Sequence, residues 1–216
     1  MWMEGPLSEW EYSGHQNVKS VDDYCKKLLD TVVGDVPSIH LLLNDTRSAH
    51  KGMFEGVTPE NHGCLAGNYR GSSDCPQLSN WNVSIGSYCG TESCFVSSSM
   101  EMFHAKINNG LHLIERHLHE AEPRKKILAY TRLVSACFVD FLVIHPYANG
   151  NGHISRLLVW CLLSIKFMNC NFWNVPKRNA EPTCKEIAQC REGNWDPLLL
   201  SFFALIENEN KDIQLH

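Results

Sequence analysis

The residues best able to do chemistry lie in one short segment, residues 145–156, which reads HPYANGNGHISR. His145 can accept a proton near neutral pH. The glycine-rich residues 150–152 predict a tight turn with exposed backbone N–H groups, and a helix that follows such a turn favours anions at its start. Arg156, one turn into that helix, can bind phosphate oxygens in a bidentate manner. The segment therefore combines a base, an anion site and a phosphate-binding cation.

The elements that must position this segment are helical. Apolar residues recur at helical spacing in residues 21–33, 38–54, 99–120, 127–144, 154–167, 181–191 and 197–207. Residues 154–167 are apolar nearly all round, which predicts a helix at the centre of a bundle. We expect Ser38 to be the N-cap of the second helix. Residues 1–20 are mixed and polar and predict an extended or loosely docked arm.

Residues 56–98 have a different composition, rich in glycine, serine, asparagine and proline. Their one alternating stretch, residues 81–86, predicts a loop region with one β-hairpin. A loop region of this length within a compact domain is usually functional, for example as a lid or a binding loop.

The segment 145–156 closely resembles the motif of the Fic (fido) family, His-Pro-Phe-x-(Asp/Glu)-Gly-Asn-Gly-Arg-x-x-Arg. His145, Pro146, an aromatic residue at Tyr147, the Gly-Asn-Gly turn and Arg156 all fall in register. The sequence GNYR at residues 67–70 resembles the start of the family's flap, and residues 191–198 resemble its late turn before the last helix. The similarity covers roughly residues 65–207.

The resemblance implies an all-α, Fic-type helical bundle with a small β-hairpin flap. It places a catalytic domain at residues 56–216, with the flap at about 67–90 and the motif at 145–156. Residues 1–55 would form an arm and helices that pack on this core.

The resemblance also implies a protein adenylyltransferase that moves AMP from ATP to a Ser, Thr or Tyr hydroxyl of a target protein. His145 would deprotonate that hydroxyl, which would attack the α-phosphate in line and release pyrophosphate. The nucleotide-binding residues implied are Gly150, Asn151, Gly152, His153 and Arg156, and the flap residues implied to contact the target are Tyr69 and Arg70.

Two positions depart from the family pattern. Asn149 replaces the carboxylate that binds the bridging metal, so we expect a weaker Mg²⁺ or Mn²⁺ site at this residue. His153 replaces the first motif arginine and brings no fixed charge when neutral. Two alternatives stay open: transfer of another phosphate-containing group (UMP, phosphocholine or phosphate), and a catalytically silent fold that binds a nucleotide or a protein.

Composition limits the partners. With 216 residues and a formal net charge of −5, the chain has no basic field for a phosphate backbone, so nucleic-acid binding is disfavoured. No segment reaches the roughly 18 uninterrupted apolar residues that a membrane span needs, so no membrane partner is expected. The expected partners are therefore ATP and a protein substrate, and an oligomer is compatible with the sequence.

The spacing of the cysteines bears on the cellular compartment of the protein. No Cys-x-x-Cys pair occurs among the ten cysteines, which argues against a zinc ribbon or a thioredoxin-like site. Four of them lie close together in the loop region (Cys64, Cys75, Cys89 and Cys94), where a disulfide or an adventitious metal ion is the alternative to free thiols. Without a secretory signal, we expect reduced thiols in a cytoplasmic protein. The Asn-x-Ser/Thr triplets at Asn44 and Asn82 leave a lumenal or secreted setting open.

Overall fold

The computed structural model describes residues 10–85, 88–166, 173, 175 and 184–209. In these ranges the chain forms α1 (Lys19–Val32), α2 (Val36–Asn44), α3 (Arg47–Phe54), α4 (Val96–Leu118), α5 (Pro123–Ile144), α6 (Asn151–Ile165), α7 (Cys184–Arg191) and α8 (Asp196–Glu209). The strands β1 (Ser84–Ile85) and β2 (Tyr88–Cys89) form a two-stranded antiparallel sheet. The expected architecture, mostly helical with a small hairpin, is confirmed.

The centre of the bundle is the pair α5 and α6. α5 packs against α4, α6 and α8, and α2 packs on α6 from the N-terminal part of the chain. Residues of α6 are buried on all faces of the helix, as its sequence predicts. By length and composition α5 is long and apolar enough to cross a membrane, a test that buried core helices also pass; 61% of its most apolar 18-residue window is buried in the bundle. Side chains from residues 1–55 and 56–216 share one hydrophobic cluster.

The prediction of one helix over residues 38–54 is wrong, because α2 ends at Asn44 and α3 begins at Arg47. The Asp45 carboxylate accepts the Arg47 backbone N–H at 2.9 Å and also binds the Arg47 guanidinium. Such side-chain bonds to nearby backbone groups compete with the helical hydrogen bonds. The break also lets the Thr46 hydroxyl form a hydrogen bond with the Tyr147 hydroxyl.

The start of α2 also differs from the prediction. Its N-cap is Asp35, whose carboxylate accepts the backbone N–H of Ser38 at 3.5 Å and its hydroxyl at 2.6 Å. Pro37 lies in the first turn, where the missing N–H costs nothing. Ser38 is therefore a partner of the cap and not the cap itself.

The other helix limits differ from the predicted ones by a few residues. α5 begins earlier than predicted, with Pro123 in its first turn, and α6 begins at Asn151, directly after Gly150. Residues 1–9 of the predicted arm, residues 86–87 of the flap, residue 167 and residues 181–183 lie outside the described part of the chain.

The described part of the loop region contains several short 3₁₀ turns and the hairpin, in which Ser84 pairs with Cys89 and Ile85 with Tyr88. The strands thus lie a few residues later than the alternating stretch suggests. Cys64 and Cys75 form a disulfide with their Cα atoms 5.5 Å apart, so the expectation that all thiols are reduced is wrong here. The turns bring these two residues within bonding range, which their spacing in sequence does not show. Among the cysteines whose side chains the structure describes, Cys25, Cys89, Cys94, Cys137 and Cys190 are free thiols.

Candidate functional site

The site begins where α5 ends. His145 is the C-cap of α5, with a φ of 52° in the left-handed region, and its backbone N–H donates to the Phe141 carbonyl at 2.9 Å. A non-glycine residue in this region costs about 1 kcal/mol and persists only when its surroundings hold it there. The conformation turns the chain out of α5 directly into the motif loop.

Arg70 supplies much of that restraint. Its fully buried guanidinium donates to the carbonyls of His145 at 2.7 Å and Ile144 at 2.9 Å. It also donates to the carbonyls of Trp81 at 2.8 Å and Thr91 at 2.7 Å, on either side of the hairpin. Burial lowers the pKa of Arg70 to about 10, so the group stays charged at neutral pH. This placement does not fit direct contact of Arg70 with a target protein; it ties the hairpin to the end of α5.

The imidazole of His145 lies beside the hairpin. A Cβ atom at Gly90 would lie 3.3 Å from the His145 Cβ. Burial lowers the pKa of His145 to about 4; the Leu142 carbonyl opposes this, and the charges of Arg70 and Arg191 add to it. Nδ1 of His145 is buried and has no hydrogen-bond partner within the described residues. At neutral pH the ring is therefore uncharged, and burial also makes it a weaker base than an exposed imidazole.

The buried side chains of Tyr147 and Asn151 hold the motif loop in place. Tyr147 is fully buried, and its hydroxyl shares a 2.7 Å hydrogen bond with the Thr46 hydroxyl. The Asn151 side chain accepts the Tyr147 N–H at 2.9 Å and donates to the Tyr147 carbonyl at 2.8 Å. Because Asn151 is only 2% exposed, its side chain holds the loop closed and only its backbone can face a ligand.

His50 is a residue that the sequence analysis missed. It is fully buried and stacks on Tyr147 with ring centroids 3.7 Å apart. Its Nδ1 accepts the Gly67 N–H at 2.9 Å, so Nε2 carries the proton and donates to the Asn149 carbonyl at 3.0 Å. Burial lowers the pKa of His50 to about 3. A lone histidine within a helix carries no local signal of this role.

Tyr69 faces inward from the start of the flap. Its ring is half-buried, with a centroid 5.2 Å from that of Tyr147, and the Arg47 guanidinium lies 5.6 Å from its centroid. Burial raises the pKa of Tyr69. The structure therefore brings Tyr69 against the motif loop, where its ring packs on that of Tyr147.

The far end of the loop carries the features of an anion site. Gly150 has a φ of 76°, and a Cβ there would lie 2.4 Å from the Phe54 ring. The Arg156 guanidinium folds back over the start of α6, with Nη1 3.3 Å from the position of a Gly152 Cβ. Within the described residues, no partner accepts the backbone N–H groups of Asn151 and Gly152. Two amide donors and one cation therefore lie together at this helix start.

Both departures from the family pattern contact the N-terminal segment, residues 10–12. The Asn149 side chain donates to the Trp10 carbonyl and accepts the Gly150 N–H at 2.7 Å. The Tyr12 hydroxyl shares a 3.3 Å hydrogen bond with Nδ1 of His153. Burial lowers the pKa of His153 to about 4, and Arg156 adds to this. The arm is thus docked on the motif, with Trp10 only 7% exposed.

A divalent metal does not fit this arrangement. Both polar ends of the Asn149 side chain are engaged by backbone groups. No group of three or more His, Cys, Asp or Glu side chains that could hold a metal occurs in the part of the chain that the structure describes. We therefore assign no metal ligand to Asn149.

The site is thus a histidine–glycine-turn–arginine loop joining two core helices of a helical bundle, with a small hairpin beside the histidine. No known protein-family model matches the chain, and no curated protein matches it significantly.

Proposed function

We propose that the protein transfers AMP from ATP to a Ser, Thr or Tyr hydroxyl of a target protein. One juxtaposition carries the proposal. An uncharged, partly buried His145 stands at one end of the motif loop, and Arg156 with two open amide donors stands at the other. A proton acceptor beside an anion site is what transfer from a nucleotide to a hydroxyl requires.

In the proposed reaction, His145 accepts the proton of the target hydroxyl as its oxygen bonds to the α-phosphorus of ATP. The bond from that phosphorus to the bridging oxygen breaks, pyrophosphate leaves, and the imidazolium later returns its proton to solvent. The amides at the start of α6 and the Arg156 guanidinium stabilise the charge on the phosphate oxygens. The chain mainly supplies positioning and fixed donors, which together account for most of the catalysis in such transfers.

The hairpin provides a place for the target. β1 and β2 pair only with each other among the described strands, so backbone groups along their outer edges face away from the sheet. An extended target segment can add to such an edge by backbone hydrogen bonds, which aligns a hydroxyl with little dependence on sequence. Gly90 follows β2 directly and lies against His145, so the edge and the base are adjacent.

The test is label transfer from α-³²P-ATP to the protein itself and to a lysate, with Mg²⁺ and with Mn²⁺. His145→Ala should abolish labelling while ATP affinity, measured by calorimetry, stays nearly unchanged, because the base acts in the chemical step. His112→Ala, at an exposed histidine on α4, is the matched control and should label normally. Full labelling by His145→Ala would refute the proposed role of His145.

The docked arm favours a second candidate, a catalytically silent fold. Asn149 and His153, which the family would use near the phosphates, are bonded to Trp10 and Tyr12 instead. In that case neither the wild type nor a Tyr12→Phe variant binds ATP in the calorimeter. Label from UTP, from a phosphocholine donor or from γ-³²P-ATP, with α-³²P-ATP silent, would indicate transfer of a different group.

A further inference from the structure

The hairpin cannot hold its own position. Each strand has two residues, and an isolated two-stranded hairpin is at best marginally stable in water. Arg70 anchors its base through the carbonyls of Trp81 and Thr91. The paired strands themselves need another anchor if the hairpin is to stay beside His145.

The last residue of α7 provides that anchor. The guanidinium carbon of Arg191 lies 4.8 Å from the centroid of the Tyr88 ring in β2, which is a cation–π contact. The Tyr88 hydroxyl donates to the carboxylate of the next residue, Glu192, at 3.3 Å. Neighbouring residues at the end of α7 thus bind the face and the hydroxyl of one flap side chain.

The same guanidinium reaches the end of α5. Nη2 of Arg191 lies 3.4 Å from the Leu142 carbonyl, one turn before His145. Among the described residues, the charged groups that act on His145 are Arg70 from the base of the hairpin and Arg191 from α7. Arg70 has all its donor nitrogens directed at carbonyls, whereas Arg191 is half-buried and its Nε has no hydrogen-bond partner within the described residues.

We propose that Arg191 is a positioning residue of the transfer site, which fixes Tyr88 of the hairpin against α5 and places a positive charge beside His145. The proposal rests on the proposed function, in which His145 must be uncharged to accept a proton. A nearby cation disfavours the protonated imidazole, so it keeps the base available at lower pH. Burial is the larger cause of the low pKa of His145, and Arg191 adds to it.

Arg191→Gln and Arg191→Lys separate the two roles. Arg191→Gln removes the charge and the stacking, whereas Arg191→Lys keeps the charge but loses the planar group that lies on the ring. Tyr88→Phe is the control for the ring, because it loses only the bond to Glu192. All three keep a side chain of similar length or shape, so α7 should remain folded, as circular dichroism would show.

The first readout is the titration of the His145 ring, followed by NMR and assigned with His145→Ala. Arg191→Gln should raise the pKa of His145 by about 0.5 to 1 unit, and Arg191→Lys should leave it close to the wild-type value. The acid limb of the pH–rate profile for label transfer should move by the same amount. A residue with a merely structural role would lower the rate without moving that limb.

The second readout is hydrogen exchange at the amides of β2. Exchange should become about two- to fivefold faster in both Arg191 variants, in line with the loss of one cation–π contact. Unchanged titration and exchange in Arg191→Gln would overturn the inference, even in an enzyme that transfers label. A wild type that transfers no label would overturn the proposed function, while both NMR readouts still decide the role of Arg191. If Arg191→Gln fails to fold, unchanged exchange in Arg191→Lys overturns the inference.

Discussion

Replacing Arg70 by methionine should unfold the site's framework at much lower denaturant concentration than the wild type needs. Arg70 is fully buried and donates four side-chain hydrogen bonds to backbone carbonyls at the base of the hairpin and the end of α5. Methionine fills much of the same volume but leaves all four carbonyls without this donor. The Arg70→Met substitution therefore measures the loss of the hydrogen bonds with little change in side-chain packing.

The magnitude follows from those bonds. A buried group left without its partner costs about 1–3 kcal/mol, and removing one member of a buried charged network costs about 3–5 kcal/mol in total. We expect the free energy of unfolding of Arg70→Met to fall by about 4 kcal/mol. For a protein of this size the midpoint of thermal unfolding should drop by roughly 10 °C. His145, no longer held through its carbonyl, should also lose its left-handed conformation.

The assay is equilibrium unfolding in urea, followed by tryptophan fluorescence. Arg47→Met is the matched control, since Arg47 pairs with Asp45 at the surface, where the side chains are 54% and 46% exposed. It should cost less than about 1 kcal/mol. If Arg70→Met costs no more than Arg47→Met, the carbonyl network does not hold the site together, and the argument for His145 loses its structural basis.

Three further predictions concern the same framework. Gly150→Ala, whose Cβ would meet the Phe54 ring at 2.4 Å, should cost several times the stability lost in Gly193→Ala, where φ is also positive but nothing lies within 4 Å; equal losses in urea would contradict the packing argument. The pKa of His50 falls from 6.5 to about 3, so the unfolded chain takes up a proton first as pH falls below 6.5. His50 alone should then lower the free energy of unfolding by about 1.4 kcal/mol at pH 5.5, and His145 and His153, whose pKa values are also lowered, add to the total loss. The pH-dependent loss of a His50→Phe variant should therefore be smaller than that of the wild type by about this amount, and a variant with the full slope would refute this. Cys64→Ser, which opens the disulfide, should lower the unfolding free energy by about 3 kcal/mol, and a reductant should lower the wild type equally but leave the variant unchanged.

The helices, and the loop that joins two of them, could be predicted from the sequence because both signals are local. Periodic apolar residues define the faces of a helix over neighbouring turns, and α4, α5 and α6 lie close to their predicted limits. His145 and Arg156 lie within one short loop and helix start, so their proximity follows from chain connectivity. The break between α2 and α3 was not predicted: Asp45 makes it locally by bonding the Arg47 N–H, and the bond from Thr46 to Tyr147, which the break allows, spans 101 residues.

The contacts that position the site were decided by the tertiary structure. Arg70 bonds a carbonyl 75 residues away, His50 bonds one 99 residues away, and Asn149 reaches the arm across 139 residues. No local pattern encodes such pairs, since they arise only when helices pack and loops are brought together. The family resemblance is also read from short stretches of sequence, and it implies that Arg70 belongs to the flap and that Asn149 is a metal ligand. Packing buries Arg70 beneath the hairpin and bonds Asn149 to Trp10, in keeping with the tendency of most buried polar groups to find hydrogen-bond partners.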